Sequence, residues 1–146
     1  MHAMKPWQPL LASLILFGVS LFLPALYSSG TSLAGIWLGL FGYFQVMDLQ
    51  CFAWLANPVY AFACLFYLVR SYRLSLWAAC IAMLIGLDTF RATGVPLNEG
   101  GTEYPIDHVG AAFYVWELGF LVLALGARHF DHRRAGRRPP SLPSSN

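Results

Sequence analysis

Glu117 is the residue best placed to do chemistry in this chain, because it stands alone in an apolar run, 11 positions before Arg128. Along a helix that separation is about 16 Å. A hydrocarbon core is roughly 30 Å thick, so the carboxyl falls near its middle, where a charge is expensive unless paired or protonated. Asp88 follows Arg73 by 15 positions, about 22 Å along its own helix, and Arg91 shares its face at i+3. With Asp107 and His108 at the mouth of the next apolar run, these residues predict a polar cluster opening outward. Such a cluster suits a proton, a cation or a polar headgroup. It equally suits a buried structural ion pair, Arg91 with Asp88 or Glu117, that locks the outer helix ends together.

Other chemistries find less support. Glu99, Glu103, Asp107 and His108 carry metal-ligand atoms, but no HExxH or comparable spacing joins them, and neither a metal nor a cofactor is expected. His129 and His132 sit among arginines, which reads as a basic patch for anionic lipid. No Ser or Thr has a matching His/Asp constellation for nucleophilic catalysis. Gly100-Gly101 neither follows a strand nor precedes a basic helix, so it is no phosphate loop. Cys51, Cys64 and Cys80 lie in apolar surroundings without CxxC spacing and read as small buried packers.

The elements that must position these residues are written in the charge pattern. Only 11% of the 146 residues are charged and 58% are hydrophobic, against about 25% charged in soluble domains. Residues 6–47 contain no Asp, Glu, Lys or Arg. Basic residues gather at Lys5, at Arg70 and Arg73, and at Arg128, Arg133, Arg134, Arg137 and Arg138, while Asp48, Asp88, Glu99, Glu103, Asp107 and Glu117 lie between or within the apolar runs. Short cytoplasmic loops are enriched in Lys and Arg, so the pattern reads as a membrane topology with both termini cytoplasmic. The arginines named here are candidate contacts for anionic lipid. The net charge of +2 carries no nucleic-acid signal.

The expected fold is an all-α membrane protein: a four-transmembrane-helix bundle with an additional interfacial or re-entrant helix, five spans being the rival. A first span covers about Leu10–Tyr27, with Pro24 near its outer end. No A-x-A-like site follows, so it reads as a retained helix. Ser28-Ser29-Gly30-Thr31-Ser32 then turns the chain. Residues 34–48 form the interfacial helix, or the fifth span. A bent helix follows from about Leu49 to Arg70, with Asn57 capping Pro58. The missing turn signal around Asp48-Leu49-Gln50 favours four spans. The third span covers about Leu74–Phe90, residues 92–108 form an outer loop, and the fourth span covers about Val109–Ala127. Residues 1–127 thus make one integral bundle, and 128–146 a basic, then Pro/Ser-rich, disordered cytoplasmic tail.

Helix contacts in lipid rely on small residues that let backbones approach. Three stripes qualify: Gly35, Gly39 and Gly42; Ala78, Ala82 and Gly86; Ala112, Gly119 and Gly126. Trp7, Trp37, Trp54, Trp77 and Trp116 fit interface anchoring or packing.

The segments Phe22-Leu23-Pro24-Ala25-Leu26, Trp54-Leu55-Ala56-Asn57-Pro58 and Tyr114-Val115-Trp116 resemble, over residues 20–120, small uncharacterised bacterial inner-membrane proteins with the same segment order. Such proteins often carry a small polar residue where this chain has Glu117. The resemblance implies a bacterial plasma membrane and contributes no activity. The small size, the small-residue stripes and the lack of a catalytic constellation make a non-enzymatic accessory or assembly subunit the expected role, with the bilayer and other membrane subunits or a second copy as partners. A transporter or proton-coupled carrier using Glu117, Asp88 and Arg91 is the alternative. An enzyme acting on lipid headgroups through Asp88, Asp107 and His108 ranks last.

Overall fold

The chain enters through Pro6 and winds at once into α1 (Trp7–Phe22), in a computed structural model that describes residues 4–47, 51–96 and 103–136. Pro24 ends this helix. Proline offers no backbone donor and pushes the residue before it to extended geometry, and Leu23 sits at φ −88°, ψ 156°. The segment expected to finish the first span is instead a strand, β1 (Pro24–Ser28), which turns back into β2 (Thr31–Ala34). Ser29 and Gly30 both hold positive φ, 49° and 77°, as a two-residue hairpin turn requires.

Two short helices follow, α2 (Gly35–Phe41) and α3 (Tyr43–Met47). Seven residues of helix reach only about 10 Å, so residues 34–48 supply no fifth span. A 3-10 turn at Ala53–Leu55 feeds α4 (Ala56–Leu68). Then come α5 (Tyr72–Gly86), a 3-10 turn at Leu87–Arg91, strands β3 (Gly94–Pro96), β4 (Glu103–Pro105) and β5 (His108–Val109), and α6 (Ala111–Ala135). The protein is mostly helical, with two small sheets that the all-α expectation omitted. One is ordered β2-β1-β5 and the other is the β3–β4 hairpin, all antiparallel. The expected outer loop is therefore partly strand. Asp48, Glu99, Arg137, Arg138 and the Pro/Ser-rich end lie outside the described residues.

Tyr72–Arg91 and Ala111–Ala135 are long and apolar enough to cross a membrane, while Trp7–Phe22 and Ala53–Leu68 are apolar but shorter. The pairs α1–α6, α5–α6 and α4–α5 run antiparallel, while α4 and α6 touch in parallel, Asn57, Tyr60 and Tyr67 meeting Trp116, Phe120 and Gly126 in turn. Pro9 of α1 packs on Gly126 of α6, and Ser13 Oγ donates to Gly119 O at 2.7 Å. Ser75 Oγ of α5 donates to Ala63 O of α4 at 2.9 Å, and Tyr67 meets Tyr72 edge-on at 5.1 Å. Tyr72 in turn faces Phe130 at 5.6 Å. The basic ends of α1, α4, α5 and α6 therefore lie together, opposite the β2-β1-β5 sheet.

That end also corrects the expected tail. Helix α6 continues eight residues beyond Ala127, because Phe130 is buried against Tyr72. Arg134 caps the contact, its guanidinium 5.7 Å from the Tyr72 ring centre and its Nη1 donating to Arg70 O at 2.6 Å. Arg70 itself closes α4. It holds φ 61°, in a place glycine usually fills, with Ser71 N–H on Phe66 O and Arg70 N–H on Tyr67 O. These two bonds are the pair that satisfies orphan carbonyls at such helix ends.

Inside the bundle, Ser13 spends its one proton on Gly119 O, so Tyr60 must donate to Ser13 Oγ across 2.6 Å. Tyr60 is further held between the Phe17 and Phe120 rings, at 5.2 Å and 4.6 Å. Ser13→Ala strands the Tyr60 hydroxyl in an apolar core and is expected to cost about 1–3 kcal/mol. Adding Tyr60→Phe removes the stranded group, so the double variant loses less than the sum of the singles. Chemical unfolding of the four proteins in one detergent measures this coupling.

Candidate functional site

The residues predicted to form one outward cluster are divided among separate places. Asp88 lies in the 3-10 turn after α5. Its Oδ2 accepts from Phe52 N–H at 2.6 Å and its Oδ1 from Arg91 Nη1 at 3.1 Å. Cys51 Sγ donates to Asp88 O at 3.4 Å. The side chain of Asp88 is 16% exposed and that of Arg91 66% exposed, so the aspartate belongs to the fold and the arginine lies over it. Together they fasten the approach to α4 onto the end of α5. The Arg91–Asp88 contact is thus an i,i+3 pair within one turn with the arginine exposed, not the buried pair between helix ends that the sequence suggested.

His108 and Asp107 stand beside β1. The His108 ring stacks on Tyr27 at 4.3 Å, and Asp107 N–H donates to Tyr27 O at 2.8 Å. Both residues are exposed. Glu117 lies on α6 against Gly86, the last residue of α5, and makes no hydrogen bond or ion pair with any of them among the described residues. A Cβ added at Gly86 would fall on Glu117 Oε1. That oxygen is sealed from the surroundings, with no hydrogen-bond partner among the described residues. Among the described residues no three His, Cys, Asp or Glu side chains converge. Cys51, Cys64 and Cys80 are all free thiols.

The small-residue stripes divide as well. On α5 the fully packed positions are Ser75, Ala79, Ala82 and Gly86, with Ala78 only half-buried. On α6, Gly119 admits the Ser13 backbone and Gly126 the Pro9 ring, while Ala112 is buried at the sheet end. On α2, Gly35 lets Ser20 O approach and Gly42 accommodates Trp54, whereas Gly39 has only Leu21 Cδ2 within reach, 3.5 Å from where its Cβ would stand.

Those three glycines form one wall of a cavity of about 110 Å³ beneath the β2-β1-β5 sheet. Phe17 of α1, Trp54 before α4, and Phe113 and Trp116 of α6 supply its aromatic walls, and Asn57, Ser20 and Thr89 its polar side chains. Asn57 does not cap α4 as its place before Pro58 suggested. Its Oδ1 accepts from Trp116 Nε1 at 3.1 Å, and the capping position falls to Leu55 without a side-chain bond. Residue-by-residue reading missed this cavity. Its one signal was the glycine stripe of α2, read as packing although no facing stripe was assigned to it.

The chain matches no family model, no curated protein and no solved structure.

Because Asp88 holds a backbone N–H and Arg91 lies mostly in the open, the two partners of one ion pair have unequal weight. Asp88→Ala, which orphans Phe52 N–H, is expected to destabilise by about 1–3 kcal/mol. Arg91→Ala is expected to cost less than about 1 kcal/mol, as exposed pairs do. Thermal unfolding of both variants in the same detergent compares them; equal losses would contradict this assignment.

Proposed function

We propose that this chain is a four-span bundle of a bacterial inner membrane, termini and basic end in the cytoplasm, serving as a non-enzymatic accessory or assembly subunit. The shorter helices are compatible with spanning. Sixteen residues of α1 cover about 24 Å, and β1 carries the chain onward with its backbone paired on both sides. That pairing matters, since unsatisfied backbone groups are not tolerated against lipid. The gathering of Arg70, Arg73, Arg128, Arg133 and Arg134 at one end supports the orientation. Residues 35–47, with Trp37, Leu40, Phe41 and Phe44 exposed, suit the outer interface.

The observation that carries the subunit reading is Glu117. Asp88 and Arg91 are committed to each other and to Phe52, and His108 to Tyr27, so the carrier reading keeps only Glu117 of its three residues. Glu117 is only half-buried on α6: its Oε1 is sealed against Gly86, but the residue keeps an open side, and an intramembrane acid open there is a group that a donor on another subunit's helix would satisfy.

Gentle purification of tagged protein from native membranes, with mass spectrometry of what is retained, tests this. A stoichiometric membrane partner is expected, and Glu117→Leu should release it while the bundle stays folded. A homo-oligomer that holds only lipid would overturn the subunit reading in favour of the carrier.

A further inference from the structure

The cavity under the sheet is lined mostly by apolar surface, and most of its polar groups are already engaged. Trp54 Nε1 donates to Gly39 O at 2.9 Å, Trp116 Nε1 to Asn57 Oδ1 at 3.1 Å, and Ser20 Oγ to Phe17 O at 2.7 Å. These bonds turn the polar atoms of the wall toward one another and leave aromatic and aliphatic surface facing inward. Apolar cavities of this kind stay dry and accept apolar guests; one of roughly 150 Å³ takes a benzene ring. At about 110 Å³ the space here suits a short stretch of hydrocarbon chain.

Gly39 strengthens the point. Glycine weakens a helix, and at Gly35 and Gly42 close neighbours require it. At Gly39 no backbone approaches, and an added Cβ would meet only Leu21 Cδ2 at ordinary contact distance. The missing side chain keeps the cavity open. Half-buried Leu21, Leu38 and Ala92 bring the lining to the outside of the bundle, beside the exposed apolar residues Ile36, Leu40 and Phe41 of α2. A guest entering there comes from the bilayer.

Asn57 keeps a donor for the polar end of such a guest. The Trp116 indole only donates, so it must face Asn57 Oδ1, which fixes the amide orientation. Asn57 Nδ2 then makes no hydrogen bond among the described residues, and it can serve an ester carbonyl. We infer that the cavity between α1, α2 and the sheet-proximal end of α6 holds an acyl chain of a bilayer phospholipid, with Asn57 at its ester end. This rests on the membrane reading of the bundle.

The full chain in phosphatidylethanolamine/phosphatidylglycerol nanodiscs, doped with a phospholipid bearing a diazirine on its acyl chain, tests the inference. After illumination, adducts are mapped by mass spectrometry. Labelling is expected at Phe113 and Trp116 in the cavity as well as at lipid-facing Leu84 and Leu125. Gly39→Leu, which fills the space, should abolish the cavity adducts and leave those at Leu84 and Leu125 unchanged. Ala92→Leu narrows the same cavity from another lining segment and replaces Gly39→Leu if circular dichroism shows that variant misfolded. Cavity residues unlabelled in the parent protein, or labelled equally in the filled variant, would overturn the inference. Absence of label from Leu84 and Leu125 too would overturn the membrane reading beneath it.

Discussion

Three helices of this bundle meet on one hydroxyl. Ser13 of α1 receives the Tyr60 proton from α4 and gives its own to a backbone carbonyl of α6. Lipid offers apolar helices no hydrophobic reason to associate, so interhelical hydrogen bonds and close backbone contact carry the specificity. The Ser13 contact needs both. Gly119 admits the α1 backbone, where a Cβ would stand 3.2 Å from Ser13 O, and the Phe17 and Phe120 rings hold the phenol in place. With α1 and α6 joined there, the strands that continue α1 and precede α6 must emerge side by side. Leu26 then pairs with Val109, and Gly110 N–H bonds Ala25 O at 2.7 Å. The sheet is thus a consequence of the seam below it, and the cavity is the space left between sheet and seam.

The two ends of the bundle differ in kind. At one end, arginines decorate turns and the extended α6, and Arg134 bonds a carbonyl that a left-handed Arg70 presents. A residue with a side chain at that φ is less comfortable than glycine would be. On the membrane orientation proposed above, its positive charge at the boundary gives a physical reason for arginine there. At the other end, strands satisfy one another and Asp88 fixes the approach to α4. Between these regions Glu117 Oε1, like the Tyr67 hydroxyl nearer the basic end, is buried without a hydrogen-bond partner among the described residues.

The helices of this fold were legible because apolar runs of sufficient length, punctuated by Ser-Ser-Gly, Arg-Ser-Tyr-Arg and the Gly/Pro-rich stretch, admit few other readings. The strands were not. Leu23 to Tyr27 is apolar throughout, and short apolar runs do not distinguish helix from strand by periodicity. Pro24 and the Ser29-Gly30 pair were the available signals, and the first was placed inside the span, near its outer end. The extension of α6 was hidden because it depends on Phe130 meeting Tyr72, a contact between residues 58 positions apart. Likewise Asn57 looked like a helix cap until Trp116, on another helix, claimed its oxygen. The polar cluster failed for a related reason: helical spacing relates Asp88 to Arg91, but nothing in one sequence relates either to Glu117.

The central claim is that the basic end and the sheet end of this bundle lie on opposite sides of a membrane. Single cysteines at Thr31 and Arg73, in a chain whose Cys51, Cys64 and Cys80 are alanine, test it in spheroplasts with a membrane-impermeant maleimide. The account predicts that Thr31→Cys is modified in intact spheroplasts and Arg73→Cys only after permeabilisation. Modification of both positions in intact spheroplasts, or the reverse order, would contradict it.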